Sequence, residues 1–165
     1  MEAAARKKIR VEEFLMKVLL ELPVLSASEM DQAVLLERHL GLDRRLEDEI
    51  MALRWWYLSH LLYGQLVHRG RVPLDLALAL IAMFVELRDQ ILAQLPLDFA
   101  MRCEFYEQAL QDDLDDEGHG FHLLACFQKF SGSESDAMKE FFYASMVGVT
   151  SRLSRSMNRF EIVQG

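Results

Sequence analysis

The stretch IMALRWWYLSHLLYGQLVHRGRVPLDLALALIAMFVELRDQILAQL, residues 50–95, decides the fold. Between Ile50 and Val67 the only fixed charge is Arg54, so this segment reads as a helix buried on most sides. Gly70 supplies a stop and Pro73 a first-turn start. The spacing therefore predicts two helices, about 44–69 and 73–95, folded back on each other as an apolar hairpin. Arg44, Arg45, Glu47, Asp48 and Glu49 read as a solvated opening turn behind an Asp43 cap. The expected centre is Leu53, Trp56, Leu61, Leu66, Leu78, Ile81 and Val85. A helix apolar on most sides must be covered on most sides, so the other helices are expected to wrap this pair.

Working outward, Val11, Phe14, Leu15, Val18 and Leu22 recur at helical spacing, with Arg6, Arg10, Glu13, Lys17 and Glu21 opposite, which predicts an amphipathic helix over 6–22. Pro23 ends it, and Ser26-Ala-Ser-Glu29 has the capping-box form that opens a helix to about His39, closed near Gly41. After Pro96 a helix of about 98–113 carries Phe99, Cys103, Tyr106 and Leu110 on one stripe; 113–119 reads as a loop, and Phe121 to Phe130 as a short helix. A last helix follows Asp136, with Phe142, Met146, Val149, Leu153, Met157 and Phe160 along one face, and residues 161–165 are expected to fray. A chain of 165 residues with only 3 Pro and 8 Gly lacks the turn density of a sandwich or barrel. The expectation is one all-α domain over 1–165, a bundle of six or seven helices around the 44–69 and 73–95 hairpin.

Hydrophobic residues make up 52% and charged residues 27%, which excludes wholesale disorder. The longest uninterrupted apolar run, Leu76 to Val85, is too short for a membrane span, and the basic start is followed by Glu12, Glu13, Lys17 and Glu21 where a signal peptide needs an apolar core. Cys103 and Cys126 are too few for a disulfide framework and sit in apolar helical patterns. The reading is a cytoplasmic protein with both thiols reduced. Net charge is −8, and residues 97–120 hold eight acids against the single base Arg102, a balance of −7. Such a field repels nucleic acid and anionic lipid and attracts a basic partner.

Chemistry-bearing patterns are few. Asp113, Asp115, Glu117 and Gly118 start like a calcium loop, but the twelfth position, which needs a bidentate acid, is Leu124. His119 and His122, with Asp115, Asp116 or Glu117 supplying oxygen, offer ligands for zinc or a similar ion, although no second His-x-x-His or Glu-x-x-His pair completes a di-metal site. No nucleophile elbow or glycine-rich phosphate cradle is present, and Cys103 reaches His60, His119 or His122 only through tertiary contact. Trp55, Trp56 and Tyr57 point to three sides of one helix; Trp56 and Tyr63 are expected to share the core face, leaving Trp55 or Tyr57 for an interface. Arg152, Arg155 and Arg159 form a positive stripe on the last helix.

Charge segregation without catalytic signatures points to a non-enzymatic protein-binding module of the immunity-protein, antitoxin, anti-activator or secretion-chaperone kind, engaging a basic partner through Glu104, Glu107, Asp112, Asp113, Asp115, Asp116, Glu117 and Trp55. Two rivals stand beside it. One is an enzyme or sensor with a metal at Asp113 to His122; the other is a self-assembling helical protein, a homodimer in its simplest form.

Overall fold

A computed structural model describes residues 5–116 and 120–164. The chain is all-α, with seven helices among the described residues and one small sheet. Strand β1 (Lys7–Arg10) leads into α1 (Val11–Phe14), which continues as a π-helical turn over Leu15–Leu19; α2 spans Ala27–Leu40. The hairpin is α3 (Leu46–Tyr63), extended by a π turn over Gly64–His68, and α4 (Leu74–Leu92). Then come α5 (Phe99–Asp115), α6 (Phe121–Ser131), α7 (Asp136–Arg159) and β2 (Phe160–Val163).

Local signals explain most boundaries. Ser26 and Glu29 form the reciprocal capping box of α2, and Gly41 closes it in the left-handed region at φ 62°, where a side chain would be strained. The α3 start departs from expectation: Arg45, not Asp43, is the N-cap residue, without a side-chain cap bond, and the Leu46 N–H donates to Glu37 Oε2 from the end of α2 (3.2 Å). A carboxylate from a neighbouring helix thus supplies what a local cap would.

Both chain ends depart further. Residues 7–10 are strand rather than helix, Phe160 begins a strand instead of continuing the face of the last helix, and 161–163 are strand rather than frayed tail. The two pair in parallel, with Ile9 opposite Ile162, both buried, while Phe14 meets Phe160 edge-on at 6.3 Å. Pairing between residues some 150 positions apart leaves no helical or alternating period to find.

The centre of the bundle is α3 itself, packed against α2, α4, α5, α6 and α7. Its partner α4 lies at the periphery, packed mainly on α3 and the two π turns. Leu76, Ala77, Leu80 and Phe84 turn inward, so the expected core set needs correction: Leu53, Trp56 and Leu66 are buried, Leu61, Ile81 and Val85 are half-buried, and Leu78 is 48% exposed. α4 is apolar around most of its circumference, so periodicity cannot select which side turns in. Among the described residues no helix is long and apolar enough to cross a membrane.

Candidate functional site

α5 carries most of the predicted acidic surface. Asp98 caps it, accepting from the Met101 N–H (3.0 Å), and Phe99, Arg102, Tyr106, Ala109 and Asp113 form its buried side. Glu104, Glu107 and Asp115 are exposed on the other side, Asp112 is half-exposed, and Asp116 follows in the turn. Met101, Phe105 and Leu114 are exposed apolar residues on the same helix. Arg102 does not offset these acids at the surface. Its guanidinium is buried, donating from Nε to Glu49 Oε2 (2.7 Å) and from Nη2 to Glu49 Oε1, while stacking over the Phe130 ring at 4.7 Å. Lys129 of α6, 5.6 Å from the Phe105 ring, is a base at the border of this face.

Several predicted partner-binding residues do other work. Trp55 is 2% exposed and stacks on Phe84 of α4 at 5.6 Å, so it is a core residue and not an interface anchor. Tyr63, expected inside beside Trp56, is exposed and meets His68 edge-on at 5.1 Å. The reason is crowding: with helices on most sides of α3, adjacent Trp55 and Trp56 can both be covered, one by α4 and the other by α5. Glu107 accepts from Trp56 Nε1 (2.9 Å) and lies 2.8 Å from His60 Nε2, tying α5 to α3 although its carboxylate remains half-exposed.

Asp113 belongs to α5 rather than to a loop, and it is 4% exposed. Its Oδ1 accepts the His122 N–H (2.8 Å) and its Oδ2 the Leu123 N–H (3.0 Å), so a residue nine positions upstream satisfies the open N–H groups at the start of α6. The sequence signal available was an acid shortly before a helix whose own N-cap, Gly120, has no side chain. Both Asp113 oxygens are thereby engaged and it is neither a surface acid nor an open ligand. Asp115 accepts from Gln111 Nε2 (3.0 Å) and Asp116 meets His122 Nε2. Among the described residues no three His, Cys, Asp or Glu converge to hold a metal ion; Glu117, Gly118 and His119 lie outside them.

The Asp116 hydrogen bond raises the His122 pKa above the ordinary 6.5, against the opposing effect of desolvation, with the charges of Asp116, Asp113 and Asp112 adding to the rise. The folded state thus favours the imidazolium: its contribution is fully present below the unfolded value and is lost as pH rises through the folded one. In Asp116→Asn the His122 midpoint, followed by proton NMR, is expected to fall toward 6.5. An unchanged midpoint would show that Asp116 does not set it.

Burial pushes the Cys103 and Cys126 thiols up to about 11, and both are free. Burial thus lowers the thiolate fraction of both at neutral pH, which weakens them as nucleophiles. Of the three expected stripe arginines, Arg152 turns inward: it donates from Nη2 to Glu29 Oε1, and Nη1 lies 3.5 Å from the Leu22 carbonyl. Arg159 stacks over Phe160 at 5.2 Å.

No family model, curated protein or solved structure matches this chain.

Proposed function

We propose that the chain is a protein-binding module whose docking surface is the outward side of α5, engaging a partner with a basic surface. The observation that supports this reading is the one-sided charge of that helix. Glu104, Asp112, Asp115 and Asp116 stand at the surface while Arg102, the only base in residues 97–120, is turned inward onto Glu49. Like charges at helical spacing repel each other and are relieved when a basic surface covers them. Met101, Phe105 and Leu114 beside them supply apolar contact area, the combination of apolar anchor and charged rim found at protein interfaces.

The test is charge reversal at Glu104, Asp112 and Asp115 to lysine, leaving Glu107 in place because it holds Trp56 and His60. The triple variant is expected to melt at or slightly above the parent temperature. Its association with proteins captured by the parent should slow by roughly tenfold or more at low salt and lose its salt dependence. Capture with unchanged rate and salt dependence in the variant would remove the acidic face from the binding surface.

A further inference from the structure

Strand β1, the π turn after α1 and the last turns of α7 enclose a cleft of about 450 Å³. Its floor is apolar: Ile9, Val18 and Leu22 are buried and Phe160 is half-buried. Its rim is basic. Lys7 comes from β1, Lys17 from the π turn, and Arg152 and Arg159 from α7, where Ser156 between them completes an i, i+4, i+7 row on one helix face. Two acids, Glu13 and Glu21, share the rim. Lys8 borders the cleft as well, but along a strand it alternates with Lys7 and Ile9 and it stands in register with Glu161. With Lys8 left out, four bases face two acids.

The ion pairs present do not cancel this surplus. Lys17 donates to Glu13 (2.6 Å), and those two charges balance. Arg152 meets Glu29, which lies outside the cleft and also accepts from the buried Arg54 (2.9 Å). One carboxylate thus answers two guanidinium groups, and one positive charge is left over. Among the described residues Lys7 and Arg159 have no carboxylate partner; Arg159 lies over the Phe160 ring instead. Only Glu21 stands against these three. The cleft's own carboxylate registers the field: the Lys17 hydrogen bond, with the charges of Lys17, Lys7 and Arg10, holds the Glu13 carboxyl below its usual value against the opposing effect of desolvation. In a chain of net charge −8, residues 6–21 and 152–163 together hold eight bases and four acids.

We propose that this cleft binds a small molecule carrying a phosphomonoester on an apolar body, the phosphate meeting Lys7, Arg152 and Arg159 and the body lying on Ile9 and Leu22. Charge decides the head group: a phosphomonoester brings about −1.5 to −2 at neutral pH and three acceptor oxygens, enough to cancel the rim's surplus, whereas a carboxylate brings one charge. Guanidinium groups suit phosphate oxygens because their N–H groups donate in pairs. Size decides the body: the cleft falls within the roughly 300–1,000 Å³ of small-molecule sites and has room for more than a phosphate. A nucleic acid or an anionic membrane would extend past the cleft onto a surface more acidic than the chain average. A small ligand feels only the cleft, since salt screens charges beyond about 8 Å. The site does not involve α5 and goes beyond the protein-binding reading, so either can fail without the other.

The probe is 1-naphthyl phosphate, titrated into the full chain by isothermal calorimetry, with 1-naphthoate and 1-naphthol as controls of one charge and of none. One-to-one saturable binding of the phosphate is expected, with naphthoate at least about tenfold weaker and naphthol weaker still. Lys7→Gln and Arg159→Gln change exposed side chains, so melting temperatures should stay at the parent value while affinity falls about fivefold or more in each and further in the double variant. Arg155→Gln removes the same charge from the same helix outside the cleft, and should leave affinity within about twofold. The proposal is overturned if naphthyl phosphate fails to saturate, if naphthoate binds as tightly, or if the double variant binds like the parent. An Arg155→Gln loss equal to that of Arg159→Gln would also overturn it, by showing a diffuse field in place of a site. Binding of phosphatidylserine vesicles or of a single-stranded oligonucleotide, but not of naphthyl phosphate, would overturn it too and assign this face to a polyanion.

Discussion

Truncation of Trp56 to alanine is expected to destabilise the chain by about 3–5 kcal/mol, a large part of the 5–15 kcal/mol that holds an ordinary domain together. Trp56 is almost completely buried, packs on Tyr106 at 5.2 Å and His60 at 4.7 Å, and donates to Glu107. Its removal opens a cavity where α5 meets α3 and also leaves the Glu107 carboxylate with one donor fewer. Trp56→Phe keeps much of the volume and should cost clearly less. Urea unfolding followed by far-ultraviolet circular dichroism measures both. A loss below about 1 kcal/mol for alanine would mean that the α3–α5 contact contributes little to the folded state.

Glu49→Ala is expected to have an effect of similar size for a different reason. Glu49 and Arg102 are both buried and joined by two hydrogen bonds, so removing the carboxylate strands a guanidinium in the interior at a cost of about 3–5 kcal/mol. Replacing the pair together, Glu49→Leu with Arg102→Met, removes both desolvation costs and should recover most of that loss. A double-mutant cycle in urea isolates the coupling. Additive losses from the two single changes would show that the pair does not act as a unit.

The Arg102 result also bears on how far the acidic site was legible. Eight acids against one base in 97–120 could be counted directly, and Glu104, Glu107 and Asp115 do stand at the surface. What could not be counted was the use of each carboxylate. Asp113 reads like its neighbours, yet it is buried because α6 turns its open N–H groups toward it; Glu107 ties down Trp56; and Trp55 lost its interface role once α4 covered it. The Arg54, Glu29 and Arg152 cluster was invisible for the same reason, since its members come from α3, α2 and α7 and no spacing relates them. The only hint was Arg54 as the single fixed charge between Ile50 and Val67.

By itself the sequence determined the helical class, the α3–α4 hairpin, the capping box of α2 and the inward stripe of α7, because each depends on residues within a turn or two of one another. Periodicity and capping are local physics and survive in a linear reading. Tertiary structure alone decided that the chain ends pair as β1 and β2, that α3 and not the whole hairpin is the centre, and that Leu78 faces out while Phe84 faces in. It also decided which charges are spent inside. An apolar helix can bury any side, and a carboxylate can meet any donor, until the neighbours that exclude water from one direction are in place.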